Sequence, residues 1–78
     1  MKDYSGTILN AAADCPAPAL RITVKADDGT VLDGWYGLNP AIAREGLAVA
    51  LTALTLNGRI SVRVDEHDGN RINAVRTM

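Results

Sequence analysis

Two stretches of this chain alternate between apolar and polar residues with period two. Between 20 and 26, Leu20, Ile22 and Val24 fall on one side and Arg21, Thr23 and Lys25 on the other. Between 59 and 65, Ile60, Val62 and Val64 oppose Ser61, Arg63 and Asp65. Such a pattern, rich in β-branched residues, predicts strands with one buried face. A partner strand over 31–38 follows the turn Asp27-Asp28-Gly29-Thr30, where Gly permits positive φ and Asp tolerates it. Gly34 and Gly37 flank Trp35 and Tyr36, which predicts a bend or bulge there. A last strand over 71–76 follows a turn at 66–70 containing Asp68-Gly69, and a first strand is expected at 7–9. Residues 10–19 carry Pro16 and Pro18, which deny two backbone donors, and read as a loop or interrupted edge.

One segment breaks the period. Asn39-Pro40 has the chemistry of a helix start, an Asn cap followed by a Pro whose missing N–H has no partner to lose. The helix is predicted to run to about Leu56, with Asn57-Gly58 closing it by a left-handed cap. The fold class is therefore mainly β with one helix (α+β), in the order β-β-β-α-β-β, as one domain over 1–78. On the helix, Ala41, Arg44, Glu45, Ala48, Thr52 and Thr55 share an arc of about 100°. The other residues cover about 220°, whereas a helix on one sheet needs an apolar stripe only somewhat wider than about 100°. Ala43, Leu47, Ala50, Leu51 and Leu54 are expected against the sheet. Ile42, Val49, Ala53 and Leu56 are left on the flank, where a second copy of the chain would cover them. A folding-over of residues 11–19 is the alternative cover. The face bearing Ala48, Thr52 and Thr55 suits a water-filled channel.

The stretch Trp35-Tyr36-Gly37-Leu38-Asn39-Pro40, feeding Leu51-Thr52-Ala53-Leu54-Thr55-Leu56-Asn57-Gly58-Arg59-Ile60-Ser61-Val62-Arg63-Val64, has the Pro-started helix, small polar turn and alternating strand of a known passage. In it the chain resembles the OB-fold B subunits of subtilase-cytotoxin-like and pertussis-like bacterial toxins and their small non-toxin relatives, over roughly residues 20–75. The resemblance implies a small OB-like barrel. It implies a ring, usually of five chains, with helices around a channel and barrels paired at strand edges. It also implies binding without catalysis, typically of glycans. The relatives are secreted and usually carry a disulfide, whereas Cys15 is the single cysteine here, and no glycan-contact motif is present to carry over.

Composition narrows the chemistry. With 78 residues, 47% of them hydrophobic, the chain holds one small core and is too apolar for disorder. One Cys excludes an internal disulfide, and one His with one Cys excludes a soft-ligand metal cluster; no cofactor is expected. The near-unbroken apolar run at 47–56 is far below the roughly 20 residues of a membrane span. Without a visible leader the chain reads as cytoplasmic, or as secreted if a signal peptide has been removed. His67 lies in Asp65-Glu66-His67-Asp68-Gly69, read as a solvated turn, and the carboxylates there and at Asp27-Asp28 fit turn chemistry better than a calcium loop. An enzyme is not expected.

Trp35 and Tyr36 are two of three aromatics, and alternation sends them to opposite faces, one to core or interface and one to the surface. Arg63 lies outward with Ser61, and Arg59, Arg71 and Arg76 flank the last hairpin; in a ring such arginines recur and can converge on one anion. The expected ligand-binding residues are Trp35, Tyr36, Arg63 and Arg71. The function expected is a non-enzymatic, ring-forming module for a small polar molecule, a carbohydrate or a phosphate-bearing nucleotide. The alternatives are a single-stranded nucleic-acid binder, disfavoured by few aromatics and a net charge of −1, and a structural or adaptor subunit for another protein.

Overall fold

In a computed structural model, which describes residues 1–13 and 17–78, five strands form one antiparallel sheet in the order β3-β2-β1-β4-β5. They are β1 (Lys2–Ala12), β2 (Ala19–Ala26), β3 (Val31–Gly37), β4 (Arg59–Asp65) and β5 (Arg71–Thr77). A single helix, α1 (Ala43–Thr55), follows a 3-10 turn at Pro40–Ile42 and packs on one face against β5, β1 and β4. The chain order is the one the alternation predicts. The barrel is not: the sheet is not closed. Its two outer strands approach at one parallel bridge, Leu38 with Ile72, where the Asn39 N–H donates to the Ile72 carbonyl at 2.9 Å.

The largest departure from sequence expectation is β1, which is eleven residues long rather than three. Its polar start, Lys2 to Gly6, carries little apolar signal, yet Tyr4 and Ile8 are buried and β1 pairs with both β2 and β4. Residues 10–12 extend β1 beyond a bulge at Leu9 instead of looping. Cys15 and Pro16 fall outside the described residues. The irregularity expected near Gly34 and Gly37 is confined to Gly34, whose φ of 132° suits only glycine, while the β2–β3 register runs unbroken. The second bulge lies in β5, where Asn73 is the extra residue.

At Gly6 the sheet folds so tightly that a Cβ would run into the Thr23 carbonyl oxygen and lie 2.8 Å from the Val24 Cα. A glycine inside a strand marks such a close backbone approach. The core beneath is built from strand side chains, with Leu20, Ile22, Ile60, Val62, Val64 and Ile72 fully enclosed.

Beyond Leu47, which packs half-buried at its margin, the helix contributes little bulk to it. Its buried residues are Gly46, Ala50 and Ala53. A Cβ on Gly46 would sit 3.1 Å from Leu38 and 3.4 Å from Ile42, so the helix rests on the sheet through its smallest side chains. That seating corrects the expected orientation. Ala53 lies in the core of its own chain rather than on a flank, and Leu51 and Leu54, expected inward, are turned outward. Ile42 and Val49 are half-buried. The ends match the sequence signals: the Asn39 Oδ1 accepts from the Ala41 N–H at 2.9 Å, and Gly58, at a φ of 71°, donates its N–H to the Ala53 carbonyl at 2.7 Å.

The turn after β2 is tied to the start of β1. The Lys2 Nζ donates to the Asp28 carboxylate at 2.9 Å, and Asp28 also accepts from the Thr30 N–H at 2.9 Å. The Lys2 ammonium, first, and then Thr30 hold the Asp28 carboxyl well below the usual carboxylate range, while Asp28 raises Lys2.

Gly6→Ala destabilises the fold by about 2 kcal/mol or more, because the new methyl meets backbone that cannot move aside; urea unfolding of the variant beside wild type measures it, and a midpoint unchanged from wild type contradicts the close approach. Asp28 remains ionised in the folded protein as pH falls through the ordinary carboxylate range, so any stability it adds is present above that range and is lost only at lower pH. Carboxyl-detected NMR titration reads its pKa directly, and Lys2→Ala raises that value part of the way, because Thr30 still donates.

Candidate functional site

The sheet has two unlike faces. Tyr4, Ile8, Ile22, Val24, Ile60 and Val62 point to the helix side; Asp3, Ser5, Thr7, Arg21, Lys25, Arg59 and Arg63 point to the other, which no element among the described residues covers. Trp35 stands on this outer face, 48% exposed, and is paired in register with Arg21. Tyr36 takes the opposite face, half-buried against the core, its hydroxyl donating to the Asp33 carbonyl at 3.5 Å. The alternation of the two aromatics is as expected.

The four residues expected to share a ligand are not brought together within one chain. Trp35 sits on the outer strand β3, and Arg63 lies on β4, three strands across, about 14 Å at the usual strand spacing, and a further six residues or roughly 20 Å along the sheet. Arg63 is engaged by Asp3 at 2.9 Å, a bond that raises the guanidinium's pKa and lowers that of the carboxyl. Arg71 is engaged by Asp68 at 3.2 Å in the last hairpin. His67 is exposed in that same turn, its N–H donating to the Asp65 carboxylate at 3.0 Å.

The register assembles a different group. One row across the outer face reads Lys25, Ser5, Ser61, Arg76, from β2 through β1 and β4 to β5. The next reads Asp33, Thr23, Thr7, Arg59, with the Thr23 hydroxyl donating to Asp33 at 2.9 Å. Small hydroxyl residues thus floor the middle of the face, and long cations rim it. The alternating charges were legible in β2 and β4 separately. Their convergence was not, because it depends on β1 lying between those strands, and only the alternation Asp3, Ser5, Thr7 hints at that.

Two further surfaces stand out. A groove of about 460 Å³ runs between α1 and the edge strand β5, lined by Ala48, Val49, Thr52, Val75, Arg76 and Thr77. On the helix Leu51 is 58% exposed, with Leu54 also open to solvent, and Leu56 at its C-cap is 71% exposed. Among the described residues, no helix is long and apolar enough to cross a membrane, and no three His, Cys, Asp or Glu side chains gather as metal ligands would. Compared with known proteins, the chain matches no family model, no curated protein and no solved structure.

Proposed function

We propose that this chain is a non-enzymatic binding module that works as a homo-oligomeric ring, five-membered by its resemblance to the toxin B subunits, and that takes a small polar ligand, a carbohydrate or a phosphate-bearing nucleotide. The observation that carries the reading is the exposure of Leu51, Leu54 and Leu56 along a helix that leans on its sheet through Gly46, Ala50 and Ala53. Fully burying one leucine is worth roughly 1.5–3 kcal/mol, and a core of this size has little to spare. A second copy is the simplest cover. Ile42 and Val49 lie on the opposite side of the buried stripe, half-covered beside the α1–β5 groove, so apolar surface borders the helix on both flanks.

Two features support the ring over a simple pair. The sheet has two open edges, β3 and β5, which are different surfaces, and a contact between unlike surfaces closes into a ring when its rotation permits. The strand order, with β3 and β5 meeting in parallel at one bridge, is the connectivity of an OB-like barrel left unsealed. The Thr52 and Thr55 hydroxyls donate to the Ala48 and Leu51 carbonyls at 3.0 and 2.9 Å, so that face can meet water or a neighbour without an unsatisfied donor. Ligand groups supplied by separate subunits would also account for Trp35, Arg63 and Arg71 lying apart in one chain.

Native mass spectrometry of protein purified without denaturation tests this. A discrete multimer, with or without a retained ligand mass, is expected. Leu51→Lys with Leu56→Lys should return it to monomer while leaving the far-ultraviolet circular dichroism unchanged, since neither side chain belongs to the core. A wild-type monomer at every concentration sinks the ring, and a stoichiometric complex with another protein favours the adaptor reading instead.

A further inference from the structure

We propose that the outer face of the sheet binds single-stranded nucleic acid, laid across β2, β1, β4 and β5 with a base stacked on Trp35. This does not depend on the ring, because every residue involved belongs to one face of one chain.

Lys2, Arg63 and Arg71 are each held by a carboxylate. Among the described residues, Arg21, Lys25, Arg59 and Arg76 have no carboxylate within ion-pair reach, and the strand register sets all four on the outer face. Three acids share this face: Asp3 is paired with Arg63, Asp33 accepts from the Thr23 hydroxyl and keeps its charge, and Asp65 lies at the end of β4 in register with Arg71, so the cations still outnumber them. The other acidic side chains among the described residues lie in the turns, at Asp27-Asp28 and at Glu66 and Asp68, and at Glu45 on the helix. A chain of net charge −1 therefore presents a cationic face.

Extent decides what kind of anion fits. Lys25 and Arg76 lie at two ends of one row, three strand spacings or about 14 Å apart. Arg21 lies four residues from Lys25 along β2, again about 13 Å. A single phosphate cannot span these positions, whereas a backbone of successive phosphates can, with Ser5, Thr7 and Ser61 hydroxyls beneath it. Trp35 stands beside Arg21 at one end of the path, half-exposed. An exposed indole at the end of a cationic track suits an unpaired base, whose ring face is free to stack; in a duplex the bases are stacked on one another.

Trp35 is the only tryptophan, so its fluorescence reports on the site directly. Adding an oligothymidylate ten nucleotides long, roughly one OB-sized site, should quench it at low salt. Log affinity should fall with log salt at a slope of about −2 to −3, as expected for three or four phosphates neutralised. Arg59→Ala with Arg76→Ala should weaken binding at least tenfold and flatten that slope by about 1.4. Trp35→Ala, followed by anisotropy of a labelled oligonucleotide, should cost roughly tenfold with the slope unchanged. Circular dichroism checks that these exposed substitutions leave the fold intact. No quenching and no anisotropy change overturns the proposal. So does equal affinity for polyglutamate, for a duplex of matched length or for thymidine monophosphate, the last transferring the site to the small-ligand reading above. Native mass measured on the same samples reports assembly separately, so failure here and failure of the ring are distinguishable.

Discussion

The arrangement rests on how closely α1 can approach the sheet. Gly46, Ala50 and Ala53 occupy the line of contact, and Gly46 offers no atom beyond its backbone to hold Leu38 and Ile42 away. Close seating lets the strand side chains interdigitate under the helix with only Leu47 packing on them at the margin, which is why the fully enclosed volume belongs almost wholly to leucines, isoleucines and valines of the sheet. Seating on small residues also fixes the helix's rotation. With that stripe inward, Leu51 and Leu54 are carried outward and the apolar flank becomes surface. A larger residue at position 46 would have to lift the helix or turn it, and either movement alters both the core and the face offered to neighbours.

The alternating strands β2 and β4, the turn at Asp27 to Thr30 and both helix ends were legible in the sequence, because each is set by neighbours along the chain. What could not be read depends on partners far away. Residues 2–6 look polar and loop-like, yet Tyr4 and Ile8 are drawn inward because β2 and β4 pair with β1 on both sides. The helix pattern showed a surplus of apolar residues but not which of them face the sheet. Hydrophobicity ranks leucine above alanine for burial, while close packing here selects glycine and alanine. The candidate site suffered likewise. Trp35 and Arg63 are prominent in the sequence but distant in space, while Lys25 and Arg76, some fifty positions apart, share a row.

Overall charge misleads for a related reason. The acids favour turns, where Asp accepts from nearby backbone N–H groups, as Asp28 does from Thr30 and Asp65 from His67. The cations favour strand exteriors, where long side chains can lie over pleated backbone and keep their heads in water. Secondary structure thus sorts the two signs in space although the totals nearly cancel. A net value describes solubility and long-range attraction, but a ligand lying on the sheet meets only what is within a screening length, about 8–10 Å in physiological salt.

β1 is the first strand in the chain and the middle strand of the sheet, flanked by a partner made soon afterwards and another made near the end. On the ribosome, β1, β2 and β3 can form a meander as soon as they emerge. The second edge of β1 then stays bare until Arg59 to Asp65 have been synthesised and have cleared the exit tunnel. For that interval a nascent chain displays an unpaired strand with Tyr4 and Ile8 uncovered, the kind of template that invites pairing with another copy before the molecule is finished. Conditions of translation, through the time taken to deliver the residues between β3 and the end of β4, therefore weigh on the yield of correctly folded protein.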